Sequence, residues 1–238
     1  MGSEFLYEDE YRDVLRLRPH ELVHAGPGMF HITAHAMDDL HCFGDRADKL
    51  EFLDRFVRIL SPEPIRDPLR RAPYPHLRPE ASLVAHCLLD NHYHLLIRQF
   101  SIGGCQRVMR SVLTSYGHYF NRKYGRRFVP IYREPYTATQ ISSSVHGARA
   151  LAYVTLNHEI ERERYEFNSH DFYVGHKKAD WIDTRSGLWF FGGDAAEYQR
   201  YLAGEGTRAL ERKIARRARA TGVRVRRIPR GPATHISR

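Results

Sequence analysis

Ser82-Leu83-Val84-Ala85-His86-Cys87-Leu88-Leu89-Asp90-Asn91-His92-Tyr93-His94-Leu95-Leu96-Ile97-Arg98 reads as a β-hairpin. Residues 82–88 form one strand and 92–98 its partner. Asp90-Asn91 makes the tight turn, because both residue types tolerate the backbone angles a hairpin requires. Upstream, residues 29–36 alternate well enough for a first strand. Asp45 then suits a helix N-cap, and Leu50, Leu53, Phe56, Val57 and Leu60 recur at helical spacing, predicting a helix over Arg46–Leu60 that packs on a sheet. Downstream, Ser101, Gly103 and Gly104 precede a long helix with Cys105, Val108, Met109, Val112, Tyr116 and Phe120 on one face, ended by Gly125. Residues 128–139 read as extended. Ser142, Ser143 or Ser144 caps a third helix running to about Glu163, with Val145, Ala148, Ala152 and Leu156 as its buried stripe. Beyond it come a loop region with Trp181 and Trp189 and one or two helices from about Asp194. Residues 8–22 are polar and mixed, an irregular or short helical lead-in. Residues 61–80 hold six prolines and read as a loop. No internal repeat is visible.

The chain has 238 residues, enough for one good core or a core plus a small appendage. With 42% apolar and 27% charged residues, it reads as a folded domain rather than a disordered one. No run approaches a membrane span, and the acidic first residues, Glu4, Glu8, Asp9 and Glu10, lack the apolar centre of a secretory leader. The expectation is a cytoplasmic protein with no membrane partner. Cys42, Cys87 and Cys105 make no disulfide framework and read as buried apolar residues of a reducing compartment. A net charge of +9 favours a polyanionic partner, nucleic acid first. Ten of the basic residues fall between 207 and 230 against one acid, Glu211, which suits either a solvated helix face with a frayed tail or a phosphate-binding arm.

Side chains two apart on a strand share a face, so His92 and His94 can converge on one metal ion or one phosphate. Imidazole suits borderline divalent ions such as Mn²⁺. In a chain with fifteen histidines, a His-x-His pair is a weak signal by itself. Tyr153 and Asn157 lie four apart and share one face of the third helix, to one side of its apolar stripe. A tyrosine there is either a rim residue with a wet hydroxyl or a nucleophile.

Taken in order, these segments resemble the REP-associated tyrosine transposases and their insertion-sequence-200-like relatives. Residues 88–97 match that family's HUH (histidine-hydrophobic-histidine) stretch, and Leu151-Ala152-Tyr153-Val154-Thr155-Leu156-Asn157 matches its nucleophile helix. Residues 28–36, 42–60, 116–126, 168–170 and 173–175 match its first strand, first helix, Tyr-x-x-Tyr-Phe-Asn-Arg stretch and closing segment. Coverage runs from about residue 28 to 175, weakening to about 202, and the basic tail lies outside it. There are departures. Asp90 and His158 stand where the family has prolines, His35-Ala36 where it has Arg-Gly, and 126–130 where it is Gly-rich. None removes a group the chemistry needs, though they put substrate contacts in question.

The resemblance implies an α+β fold: a ferredoxin-like antiparallel sheet of four to five strands with helices packed on it. The histidine strand would be central, and the third helix would bring Tyr153 across from it. The implied domains are a lead-in (1–27), the HUH nuclease domain (28–175) and a helical extension with the basic tail (176–238). The implied chemistry is transposase-like cutting and joining of single-stranded DNA, presented by a hairpin. Tyr153 is the implied nucleophile, with a divalent metal, Mg or Mn, on His92, His94 and Asn157. Tyr116 follows the histidines more closely, but its place in an apolar stripe favours packing. DNA contacts are expected from Arg122, Lys123, Arg126 and Arg127 and, in the tail, from Arg212, Lys213, Arg216 and Arg217. The resemblance admits both a monomer and a homodimer with the tyrosine helix supplied in trans. Two alternatives stand beside it: a hairpin-binding regulator that has lost nicking, and a metal-dependent phosphoesterase that uses water.

Overall fold

The structure, a computed structural model, describes residues 15–37, 40–70, 72–127, 129–156 and 166–206. Five strands, β1 (Arg16–Leu17), β2 (Gly28–His35), β3 (Ala81–Leu89), β4 (His92–Gln99) and β5 (Thr137–Gln140), form one antiparallel sheet in the order β1-β5-β2-β4-β3. Between them run α1 (Pro19–Leu22), α2 (Arg46–Leu60) and α3 (Gly104–Lys123). From β2 to β5 the chain reads strand, helix, two strands, helix, strand, with the fourth of those strands beside the first, which is the ferredoxin-like arrangement. The expected α+β fold is present. β4 lies between β2 and β3, as expected for the histidine strand, and the β3–β4 hairpin turns at Asp90 and Asn91.

Alternation along the strands separates two cores. Phe30, Ile32, Leu88, Tyr93, Leu95 and Ile97 face α2 and α3. There Phe52 of α2 meets Phe43, Phe56 and Tyr116 edge-on, with ring centroids 5.1–5.7 Å apart, an arrangement that favours aromatic pairs beyond area burial alone. Asp45 caps α2 by accepting from Asp48 N at 3.0 Å, as its position before the apolar periodicity implies. The Asp48 carboxylate, fully buried, accepts from Tyr119, Lys123, Tyr124 and Gly44 N and so ties the start of α2 to the end of α3. Tyr116 is completely buried in this layer and donates to Cys42 O at 2.6 Å, so the packing reading of that tyrosine holds. All three cysteines are buried.

The opposite sheet face carries α4 (Ser144–Leu156), which lies over β3 and β4. Ser143 caps it: its carbonyl takes Gly147 N at 2.9 Å and its hydroxyl takes His146 N at 3.1 Å. The expected stripe is wrong at its first member, because Val145 is 59% exposed. The physical reason lies in what covers α4. Short helices α5 (His170–Tyr173) and α6 (Thr184–Leu188), a 3-10 turn (Trp189–Phe191), α7 (Ala195–Tyr201) and a further helical turn (Leu202–Gly206) follow it; α6, the 3-10 turn and the Leu202–Gly206 turn close over the side of α4 turned away from the sheet. A helix clasped between two layers is apolar nearly all round. Ala150, Leu151, Val154 and Thr155 are fully buried, and a Cβ at Gly147 would collide with the Phe190 ring. Only the edge bearing Val145, Arg149 and Tyr153 stays open.

The free side of β3 is covered as well. Leu88 N and Ser169 N donate to Phe167 O and His86 O, and Asp183 N donates to Leu83 O, so the chain on either side of α5 occupies the sheet edge. At the other edge, β1 pairs with β5 through Arg16–Thr139 and Leu17–Ala138, where a lead-in without a strand was expected. Two residues are too short a run to show alternation.

Candidate functional site

β2 and β4 pair in a register that sets His35 opposite His92 and Thr33 opposite His94. Counting by twos, His31, His35, His92 and His94 all point to the face that carries α4. The two sequence-predicted histidines therefore lie together: their ring centroids are 5.1 Å apart with the planes at 89°. His94 is buried, at 6% exposure, while His92 at the strand's start is half-buried. Tyr153, on the open edge of α4, is half-buried, and its ring stands edge-on to His94 at 5.0 Å. One chain thus brings Tyr153, His92 and His94 to one place, with the phenol neither lost in the interior nor turned from the sheet.

Two further histidines complete the cluster. His31 Nε2 lies 3.2 Å from His94 Nδ1; the two rings stack at 5.3 Å and 24°, and the Tyr153 ring stands edge-on to His31 at 5.8 Å. His35 stacks on His92 at 4.7 Å and 17°. His92 Nδ1 is 2.7 Å from Asn91 Oδ1, and because a carbonyl oxygen only accepts, Nδ1 carries the proton there. Sequence reasoning missed His31 and His35. The signal was present, since residues 31 and 35 share parity on a strand, but only the pairing register shows that they meet 94 and 92.

Arg149 was also missed. It precedes Tyr153 by one helical turn on the same open edge and is exposed. Next to it, His146 is held neutral-favouring: burial first, then the Arg149 charge, lowers its pKa. Ser142 N accordingly donates to its Nδ1 at 3.3 Å. Because α4 covers β3 and β4, the β2–β5 side of this face is left partly open. Thr33, Thr137 and Thr139 line it as a polar shelf, with the Thr33 and Thr137 hydroxyls 3.0 Å apart. Immediately behind the site, on the other face, burial raises the Tyr93 phenol well above its ordinary range.

The remaining predicted residues are not gathered there. Asn157 and the tail residues Arg212, Lys213, Arg216 and Arg217 lie outside the described residues. Lys123 is committed elsewhere, to Asp45 at 2.6 Å and Asp48 at 2.7 Å, and hydrogen bonding to those carboxylates raises its pKa against a burial penalty. Arg126 lies over the Phe120 ring and donates to Pro130 O. Arg122 and Arg127 are exposed at the end of α3, in the helix layer behind the sheet.

Among the described residues, no group of three or more His, Cys, Asp or Glu side chains forms a metal-ligand set. The histidine pair nevertheless has the spacing of co-ligands. An imidazole nitrogen about 2.1 Å from an ion puts its ring centre roughly 3.2 Å away, so two such rings at ~105° stand about 5 Å apart, against the 5.1 Å found. No helix among the described residues is long and apolar enough to cross a membrane.

No protein-family model and no curated protein matches the chain. Among solved structures, a REP-associated tyrosine transposase bound to a REP hairpin is similar, with a TM-score of 0.46 and 11% identity over 68% of this chain and 89% of that one.

Proposed function

We propose that the chain is a transposase-like DNA enzyme that cuts and rejoins single-stranded DNA through Tyr153. The carrying observation is that an open-edge phenol meets, edge-on, one of two imidazoles that converge on the same sheet face. In the reaction, the Tyr153 oxygen bonds to the scissile phosphorus and the bond from phosphorus to the 3′ oxygen breaks. The phenol gives up its proton as that bond forms, and the departing 3′ oxygen takes one up. The product is a 5′-phosphotyrosine and a free 3′-OH. Attack by a 3′-OH reverses the step and restores the phenol, so joining needs no external energy source.

A tyrosine hydroxyl, with a pKa of about 10, is a weak nucleophile until it is placed and its target is polarised. Here the ring is fixed between α4 and the imidazoles of His31 and His94, leaving little freedom in the direction of attack. His92, His94 and Asn157 would hold a divalent ion, Mg or Mn, which when bound supplies positive charge for the scissile phosphate. Arg149 adds fixed positive charge one turn away. The threonine shelf offers hydroxyls to sugars and phosphates, and unpaired bases beside a hairpin stem expose the edges and phosphates such a surface can take.

The test is incubation with a single-stranded hairpin oligonucleotide and Mn²⁺, followed by denaturing electrophoresis. The wild type should carry covalently attached DNA, and Tyr153→Phe should carry none and cut nothing. Binding without an adduct would assign the chain to hairpin recognition alone. Cutting that survives Tyr153→Phe would assign it to water-mediated hydrolysis.

A further inference from the structure

Both candidate ligand imidazoles are gripped through Nδ1, one by Asn91 and one by His31. The Asn91 contact puts the His92 proton on Nδ1 and its lone pair on Nε2. The His31–His94 contact is ambiguous by itself, since two ring nitrogens 3.2 Å apart share one proton and either can be the donor. We infer that His94 is the donor and His31 the acceptor, so that His31 is a positioning residue that locks His94 in the tautomer presenting Nε2, as Asn91 does for His92. This rests on the reading of His92 and His94 as cation ligands.

Two observations fit His31 for this positioning role. His31 is itself 6% exposed and comes from β2, the strand bonded directly to β4, so its position is as rigid as the sheet. The His31 ring also stacks on His94 and touches the Tyr153 ring, which lets one side chain hold ligand and nucleophile together. A ligating histidine generally needs such a partner on its other nitrogen, and losing the partner weakens metal affinity by roughly 10–100-fold. His31 supplies it from a ring already held by the sheet.

The experiment has two arms. In the metal-free protein, ¹⁵N NMR of the imidazoles reads the tautomer. His94 is expected as Nδ1–H in the wild type and as a mixture in His31→Phe, which keeps the ring volume but has no acceptor. In the second arm, Mn²⁺ binding is followed by electron paramagnetic resonance of the free ion. His31→Phe should bind roughly 10–100-fold more weakly than wild type, and His31→Gln, whose amide oxygen accepts, should recover most of the loss. An Nε2–H tautomer of His94 in the wild type overturns the proposal, and so does a His31→Gln variant no better than His31→Phe. Failure of the underlying metal reading looks different: wild type and His92→Ala would then be indistinguishable in Mn²⁺ binding, while the tautomer arm still decides the role of His31.

Discussion

His86 offers a stability prediction whose size follows from its surroundings. It sits on β3 at 2% exposure, stacked on Trp181 at 5.9 Å and edge-on to Phe172 at 6.3 Å, and its Nδ1 has no hydrogen-bond partner among the described residues. Burial, helped by the charge of Lys177, lowers its pKa from 6.5 to about 3. Above pH 6.5 the ring is neutral folded or unfolded, and its pH-dependent contribution to stability is complete. As the pH falls below 6.5 the unfolded chain takes up a proton that the folded ring refuses until about pH 3, so stability declines through that window. The slope approaches ~1.4 kcal/mol per pH unit, so the 1.5 units down to pH 5 cost about 2 kcal/mol. His86→Phe fills the same ring site, keeps the backbone bonds to Ser169 and removes the titration. His170 and His146 are shifted downward too, so the difference between wild type and variant isolates His86. Urea unfolding at pH 7 and pH 5 should show the wild type losing about 2 kcal/mol more than His86→Phe. Equal losses, or an NMR titration of His86 near 6.5, would refute the reasoning.

Two further outcomes are expected. Tyr116→Phe removes the bond to the buried Cys42 carbonyl and should cost about 1–3 kcal/mol in denaturant unfolding; the covalent DNA adduct should persist, because that phenol lies in the other core. Arg149→Ala should weaken single-stranded DNA binding evenly across sequences. It should also flatten the dependence of log affinity on log salt by about 0.7, the share of one phosphate contact.

What the sequence made legible followed from periodicity. α3 shows one apolar face because it packs on one side only, and all six residues of its expected stripe are buried. The bounds of α2 were equally legible, but Leu50 of its expected stripe is 43% exposed, and Phe52 and Ile59 are buried beside Phe56 and Leu60. The β3–β4 hairpin was legible from its turn and strand-forming residues, although α2 and α3 cover one of its faces and α4 the other. The same logic misplaced α4: Val145 fits a one-sided stripe, yet α6, the 3-10 turn and the Leu202–Gly206 turn cover the helix from outside and leave Val145 on the open edge. No local pattern announces a cover that arrives 40 residues later. His92, His94 and Tyr153 were found through spacing and family resemblance; the His92–His94 contact is local to one strand, and the contact of Tyr153 with His94 is tertiary. His31 depended on strand register, which a single chain of letters leaves unspecified. Lys123 looked like part of a basic surface because nothing local reveals that Asp45 and Asp48 claim it.

The central claim is tested most directly by locating the covalent bond. Wild-type protein trapped on a single-stranded hairpin substrate with Mn²⁺ would be digested and its DNA-bearing peptide sequenced by mass spectrometry. The account predicts a nucleotide remnant on the phenolic oxygen of Tyr153. A remnant on any other residue, or efficient cleavage leaving every peptide unmodified, would contradict it.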